Sequence, residues 1–407
     1  YVTYARLIEA VTIDANSTVY SIREAPNGFY ELNFGDGVSF GKKPEAGNKV
    51  VVTYLSSAGP VANAGDTFSS NSNLTVNGIG YSVSSATSNE STGGAFRQSI
   101  ESVRQLAPIA YAAQQRLVTS DDYKATILSN FSQVNDCNVW SGDQNVPIDY
   151  GAVYVCLNFA TTVSQATKDL VKANIVTNFT DNLSVVSMTT KFVDPTDVYL
   201  ELNTQFDFDP SRSGFTLAGT ETSVFNYMNS YFSTNLNSFN KFFRRSNLLT
   251  EIDALDQAIL SSRIDVKVQL RINPNVGVEE NFELSYPMKI AFPDDETYSV
   301  VSSIFQYGGA VAQIKNKLNS TRLEIVDIDG NVLLNNVGEY VPLDGEVNII
   351  GFAPDAFIGG NTFIKISVVP DNPSVIKPLR NYVLRLDTTE SSATATIDRQ
   401  TSSLQVT

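Results

Sequence analysis

Histidine is absent from all 407 residues. Without imidazole there is no Ser-His-Asp or Cys-His catalytic set, no imidazole base and no His-based metal site. Cysteine is scarce, with only Cys137 and Cys156. Two are too few for a thiolate zinc site or a disulfide scaffold, and they are expected to be reduced thiols on neighbouring strands. No apolar run reaches the roughly 18 residues that a spanning helix needs, so no membrane segment is expected. No Gly-x-x-x-x-Gly-Lys-Ser/Thr run is present to cradle a phosphate. An initiator Met is also lacking: Tyr1 starts in what reads as mid-strand, which predicts a fragment or processed product. Positive charge is outnumbered, 28 Lys and Arg against 43 Asp and Glu, for a net −15. Such a surface repels phosphate backbones and anionic membranes, and the adjacent Arg244 and Arg245 do not make a basic stripe. Nucleic acid and membrane are therefore not expected partners, and neither a small-molecule substrate nor a cofactor is expected.

Apolar residues make up 42% of the chain, including 18 Tyr and 23 Phe. That supplies several packed cores, and a chain of this length divides into two to four domains. The pattern predicts an α+β multidomain protein. Residues 1–94 form an N-terminal β-rich domain whose Gly35, Gly37, Gly41 and Gly47 sit where tight turns want them, closing on a strand Val50–Tyr54. Short strands are expected at Leu74-Thr75-Val76 and Tyr81-Ser82-Val83, then a hinge at Ser91-Thr92-Gly93-Gly94. Residues 95–195 hold a helical segment, interrupted at Pro108, and a first small α+β module. A helix start is written in Thr119-Ser120-Asp121-Asp122-Tyr123, where Thr119 caps and the acidic pair favours the positive end of the dipole. Strands follow at 134–140 and 152–159, then a helix over 164–179 and a strand near 185–192. Residues 196–273 repeat this order as a second module: a half-buried strand at 198–208, helices over 221–243 and 246–260, and a strand at 264–272. Residues 274–407 read as an all-β domain, with a hairpin turn at Asp329-Gly330-Asn331 and a polar tail from Asp387 that ends in alternation through Ala395, Ile397, Leu404 and Val406.

Several stretches in this order match a known family. They are Phe34-Gly35-Asp36-Gly37, Phe40-Gly41, Pro44, Gly47-Asn48 and Tyr54, then Gly93-Gly94, Glu101-Ser102-Val103-Arg104 and Ala107-Pro108. The most specific is Arg116-Leu117-Val118-Thr119-Ser120-Asp121-Asp122-Tyr123, followed by Gly151–Val155 and Ser246–Leu249. The chain resembles the baseplate J-like family of phage tail proteins over roughly residues 30–273, most of all its T-even-type baseplate wedge members without their N-terminal part. That resemblance implies a structural subunit of a contractile tail baseplate, a late protein assembled in the host cytoplasm and carried in the virion. It implies self-association, most simply as a homodimer, and contact with other baseplate wedge proteins. The resulting ring surrounds a hub and rearranges on contraction. It implies no catalytic, cofactor-binding or metal residues. The motif positions Gly35, Asp36, Gly37, Gly41, Arg104, Pro108, Arg116, Thr119, Asp122 and Tyr123 are expected to be structural. Arg104 and Arg116 would be buried and hold carbonyls or acidic groups, or else meet another subunit.

Asp327, Asp329 and Asn331 echo a calcium loop, but the Gly is misplaced and no bidentate Glu follows, so a hairpin is expected. Glu201, Asp207 and Asp209 lie near one strand end, yet nothing marks one as acid and another as nucleophile for a glycosidase. A receptor- or glycan-binding role for the C-terminal β-domain is the alternative from another class, although Trp140, the sole Trp, lies outside it. Finally, Phe225, Met228, Phe232, Leu236, Phe239 and Phe243 step by three and four along what reads as one helix face. That face packs on the chain's own sheet or reaches a partner, so Phe225, Met228, Phe232, Phe239 and Phe243 are candidate interface residues.

Overall fold

The computed structural model describes the chain except residues 1, 8, 9, 11, 55, 57, 64, 66, 86–90, 92, 93, 95, 98, 115, 146, 161, 162, 186, 187, 213 and 400–407. Thr92 and Gly93 of the expected hinge, and Leu404 and Val406 of the tail, lie outside the described residues. Helix and strand are mixed, in two compact units, Tyr1–Ala58 and Gly59–Thr407.

In the first unit, Ala5–Arg6 runs parallel to Val19–Glu24, which pairs antiparallel with Tyr30–Phe34. The expected strand Val50–Tyr54 is not formed: these residues pair with no strand and stay exposed. Their β-propensity is met by no neighbouring ladder, and propensity alone does not make a strand.

The second unit opens with an Asn-Gly hairpin, Leu74–Val76 against Ile79–Tyr81. Asn77 and Gly78 both take positive φ, at 53° and 81°, as a two-residue turn of this type requires. Helix α1, Ile100–Ala113, runs on through Pro108 rather than stopping there. Pro removes one ladder bond, and the carbonyl of Arg104 that loses its partner lies on an exposed stretch where water can satisfy it. Helix α2, Ser120–Asn130, packs on a three-stranded sheet in which Val134–Ser141 pairs antiparallel with Ala152–Phe159, and that strand parallel with Thr189–Val193. The parallel pair needs a crossover, supplied by α3, Gln165–Ile175, capped by Ser164 and continued by a π-helical turn at Val176–Thr180 and the short α4, Asp181–Leu183. Tyr123, Ile127, Cys137, Val155, Leu157, Val171 and Ile175 form this module's core.

From Thr196 onward one sheet of thirteen strands dominates. Near one end of it Thr196–Phe208 pairs antiparallel with Ile259–Ile272. Even-numbered Val198, Leu200, Leu202, Val268 and Leu270 are buried in the main core, while odd-numbered residues take the other face, as period 2 dictates. Helix α5, Leu217–Tyr231, and helix α6, Arg245–Asp253, cover the core face with Val224, Met228, Leu248 and Ile252. The helix expected over 246–260 ends at Asp253, and Ile259 already belongs to the long strand. The sheet continues through Glu280–Ser285 and the later strands, so position 274 falls between two strands of one sheet. The strand Ala310–Asn316 lies between Val300–Ser302 and Arg322–Asp327. Tyr382–Leu386 and Ser392–Ile397 both run parallel along the same edge of Thr196–Phe208, one after the other. The outer edge of the second is closed by α5, whose Glu221 accepts the Ala395 N–H at 2.9 Å.

Candidate functional site

The loop Gly35–Gly41 is built around one carboxylate. Asp36 Oδ1 accepts the backbone N–H groups of Val38, Ser39 and Phe40 at 2.8, 2.9 and 2.8 Å. These donors hold its carboxyl below the usual carboxylate range, with that from Phe40 foremost. Gly37 and Gly41 take φ of 73° and 75°, where a side chain is strained. Gly35 is needed for space: a Cβ there would lie 2.1 Å from the carbonyl of Gly41.

The Arg116–Tyr123 stretch forms a reciprocal cap on α2. Thr119 Oγ1 accepts the Asp122 N–H at 3.2 Å, and Asp122 Oδ2 accepts the N–H groups of Thr119 and Val118 at 2.8 and 3.2 Å. Burial alone pushes the Asp122 carboxyl up, but these donors and nearby Arg116 outweigh it and leave it lowered. Tyr123 anchors the helix in the module core. Neither motif arginine is buried. Arg104 pairs with Glu101 on the exposed side of α1, and Arg116 donates to Gln114 Oε1 at 2.8 Å. Pro108 is likewise exposed.

The aromatic stripe is not one helix. After α5 the chain makes a π-helical turn at Phe232–Leu236, leaves the helix at Asn237 and reverses at Asn240, whose φ is 59°. Met228, Phe232 and Phe243 are buried in the main core, with Phe225 half-buried against it. Phe239 takes another course. It fills a small separate cluster with Trp140, Cys156 and Val383, where the first module meets the large sheet. Hydrogen bonds surround this plug: Asp136 Oδ2 accepts the Phe239 N–H at 2.9 Å, Asn240 donates to Asn138 Oδ1 at 3.0 Å, and Asn138 donates to the Arg380 carbonyl at 2.7 Å. Asp136 Oδ1 also meets Lys124 at 2.8 Å. One side chain thus fills the contact between the first module's sheet and the large sheet. Trp140 is engaged here, stacked on Tyr154 and donating Nε1–H to Asn145. The two cysteines face opposite sides of their sheet. Cys137 sits opposite Leu157, and Cys156 opposite Asn138. Burial pushes both thiols up to about 12.

The most concentrated charge cluster lies on the polar face of the large sheet, where Asp387 interrupts the edge between Tyr382–Leu386 and Ser392–Ile397. Its Oδ2 accepts from Gln269 and Lys365, both at 2.9 Å, and from Arg271 at 3.2 Å. Its Oδ1 accepts the Thr389 N–H at 2.9 Å and the Thr389 hydroxyl at 2.6 Å. Lys365 also reaches Glu390 at 3.0 Å, and Arg271 lies over the rings of Tyr199 and Phe363. Asp387 is 2% exposed and Lys365 6%. Burial by itself raises the Asp387 carboxyl, but donors from Thr389, Lys365 and Gln269 drive it well below the usual range. The polar run Arg263, Asp265, Lys267, Gln269, Arg271 was readable as one strand face. Which residues would face it from more than a hundred positions away was not.

This network holds its charges in place. Glu201 accepts from Gln269 at 2.6 Å, Asp207 from the Ser261 hydroxyl at 2.6 Å, and Asp209 from Ser211 with its carboxyl lowered by that donor. Each carboxylate is tied down separately. The Asp327–Asn331 stretch is a hairpin in which Asp327 accepts the N–H groups of Asp329 and Asn331. Among the described residues, no three His, Cys, Asp or Glu side chains gather as a metal site, and no helix is long and apolar enough to cross a membrane.

Comparison with known proteins bears on this fold in two places. Residues 196–271, the long strand pair with α5 and α6, match the family model described as baseplate structural protein gp6, C-terminal domain III. Over 293 residues the chain is 22% identical to baseplate wedge protein gp6 of Enterobacteria phage T4. The alignment covers 66% of this chain and 44% of that protein, so the chain spans less than half of the relative's length.

Proposed function

We propose that this chain, baseplate wedge-like by both comparisons, is a structural subunit of a phage tail baseplate wedge and acts without catalysis. The observation that carries the reading is that the matched unit, residues 196–271, supplies the two longest strands of the large sheet, with later strands paired on both sides of them. In this role the chain associates with a second copy and with neighbouring wedge proteins, forming a ring around the hub that rearranges on contraction. Its place is the virion tail baseplate, after assembly in the host cytoplasm. The fold supports a girder: two sheets in contact through the Phe239 cluster, an edge strand bonded to α5, and charges locked inside the sheet. Mixing the purified chain with the other wedge proteins of its own phage tests the reading. Co-migration on a sizing column as a stable complex is expected; separate elution at micromolar concentration of every component sinks it.

A further inference from the structure

Positive charge is sparse in this chain, yet the fold gathers it at one place that the sequence does not advertise. Residues 238–250 and 372–386 contain no acidic residue and carry Lys241, Arg244, Arg245, Lys377, Arg380 and Arg385. They lie more than a hundred positions apart but form a two-stranded ribbon, Phe243 opposite Ile376 and Arg244 opposite Val375. Phe243 and Ile376 point into the core. By the alternation of strands the flanking residues point out, so Phe242, Arg244, Val375 and Lys377 share the outer surface, all exposed. The Lys377 ammonium lies 5.5 Å from the centre of the Phe242 ring. Arg385 pairs with Asp197, and Arg245 and Arg380 donate to backbone carbonyls. Among the described residues, Lys241, Arg244 and Lys377 form no ion pair. Lys241 and Phe242 also wall a groove of about 460 Å³ with Tyr231, Asn247 and Glu251.

We propose that this ribbon surface docks an acidic segment carrying an apolar side chain, contributed by a neighbouring protein chain. Charge complementarity selects the partner: the unpaired cations sit on a body of net charge −15, and Glu251 in the groove wall, which accepts from the Tyr227 hydroxyl at 2.8 Å, forms no ion pair with them, so a partner's carboxylate supplies the missing counter-charge. The apolar half of the surface, Phe242 and Val375, selects a protein segment over a phosphate polymer, which would gain nothing from these side chains. A long polyanion would also run onto the surrounding acidic surface. The proposal goes beyond the wedge reading by naming a surface and a partner chemistry, and it does not depend on self-association.

The test is fluorescence anisotropy of the full chain with a labelled peptide of glutamates interrupted by two phenylalanines. The same peptide with glutamines for glutamates, and a single-stranded oligonucleotide, run alongside. The glutamate peptide alone should bind. Arg244→Ala with Lys377→Ala should weaken it roughly two- to tenfold, the scale of two exposed ion pairs. Phe242→Ser should weaken it too, and Lys267→Ala, an exposed cation elsewhere on the large sheet, should not. Circular dichroism checks that each variant folds, with Lys377→Gln as a milder second variant. Equal binding of the glutamine peptide, preference for the oligonucleotide, or indifference to both Arg244→Ala/Lys377→Ala and Lys377→Gln overturns the proposal. A change of oligomeric mass in the double variant without peptide also overturns it, by giving the surface to a second copy. Loss of wedge-protein binding with peptide binding intact would instead count against the wedge reading alone.

Discussion

Removing the Asp387 carboxylate leaves Lys365 buried with only Thr389 and half-exposed Glu390 beside it. Breaking one side of a buried ion pair costs about 3–5 kcal/mol, because the remaining charge stays desolvated and, here, is matched only by the half-exposed Glu390. For a cooperative unit the size of residues 196–407, that lowers Tm by roughly 6–20 °C. Asp387→Ala is therefore expected to fall in this range. Lys365→Met should cost less, since Asp387 keeps Arg271, Gln269 and Thr389 as donors. The double variant should cost less than the two single costs added together, with a coupling of about 0.5–3 kcal/mol. The pH dependence has a fixed sign. The folded carboxyl titrates below its ordinary value of 3.8, so its contribution is fully present above that value and is lost as pH falls toward the folded pKa. The gap between wild type and Asp387→Ala should accordingly narrow on acidification below about pH 4. Scanning calorimetry at neutral and acid pH measures both effects. An Asp387→Ala variant within about 0.5 kcal/mol of wild type at pH 7, the size of an ordinary surface change, refutes this account of the network.

Other outcomes follow from single positions. Gly37→Val is expected to cost about 1–3 kcal/mol through its left-handed backbone, read by denaturant melts of the chain; unchanged stability with a lost partner contact would make the glycine an interface residue instead. Phe239→Ala should cost about 3–5 kcal/mol and raise hydrogen exchange around Trp140 and Val383 first; exchange rising evenly through both cores would contradict its role as the joint. Cys137 and Cys156 should resist thiol reagents in the native chain and give two free thiols on denaturation, whereas a native-state reaction at either would contradict its burial.

Local chemistry was the legible part of the sequence. Thr119 and Asp122 spell a cap within four residues, and the alternation along 198–208 shows which side of a strand is buried. Signals fail where the deciding partner is distant. The stripe Phe225–Phe243 keeps helical spacing across a π-helical turn and a left-handed Asn240, because core contacts from loop and helix can share one spacing. Pro108 reads as a stop, yet α1 runs through it, since the Arg104 carbonyl it leaves without a donor sits on an exposed stretch where water can satisfy it. Val50–Tyr54 has strand composition but no ladder. Asp387 lies in what reads as a polar tail, yet its carboxylate accepts from Gln269, Arg271 and Lys365 across the sheet. The basic ribbon at Arg244 and Val375 was hidden for the same reason, since half of its cations come from a second segment.

Self-association is the central claim, and the mass of the chain in solution tests it most directly. A specific pair should bury more than about 1,000 Å² around an apolar centre, and two-fold contacts are the commonest closed arrangement. Each chain weighs 44.4 kDa and carries −15, so copies repel at long range and association has to rest on buried apolar area. Sedimentation at tens of micromolar protein, from low to high salt, should show twice the chain mass, with the dimer holding or strengthening as salt screens the repulsion. A single species of 44.4 kDa at every salt concentration would contradict the account.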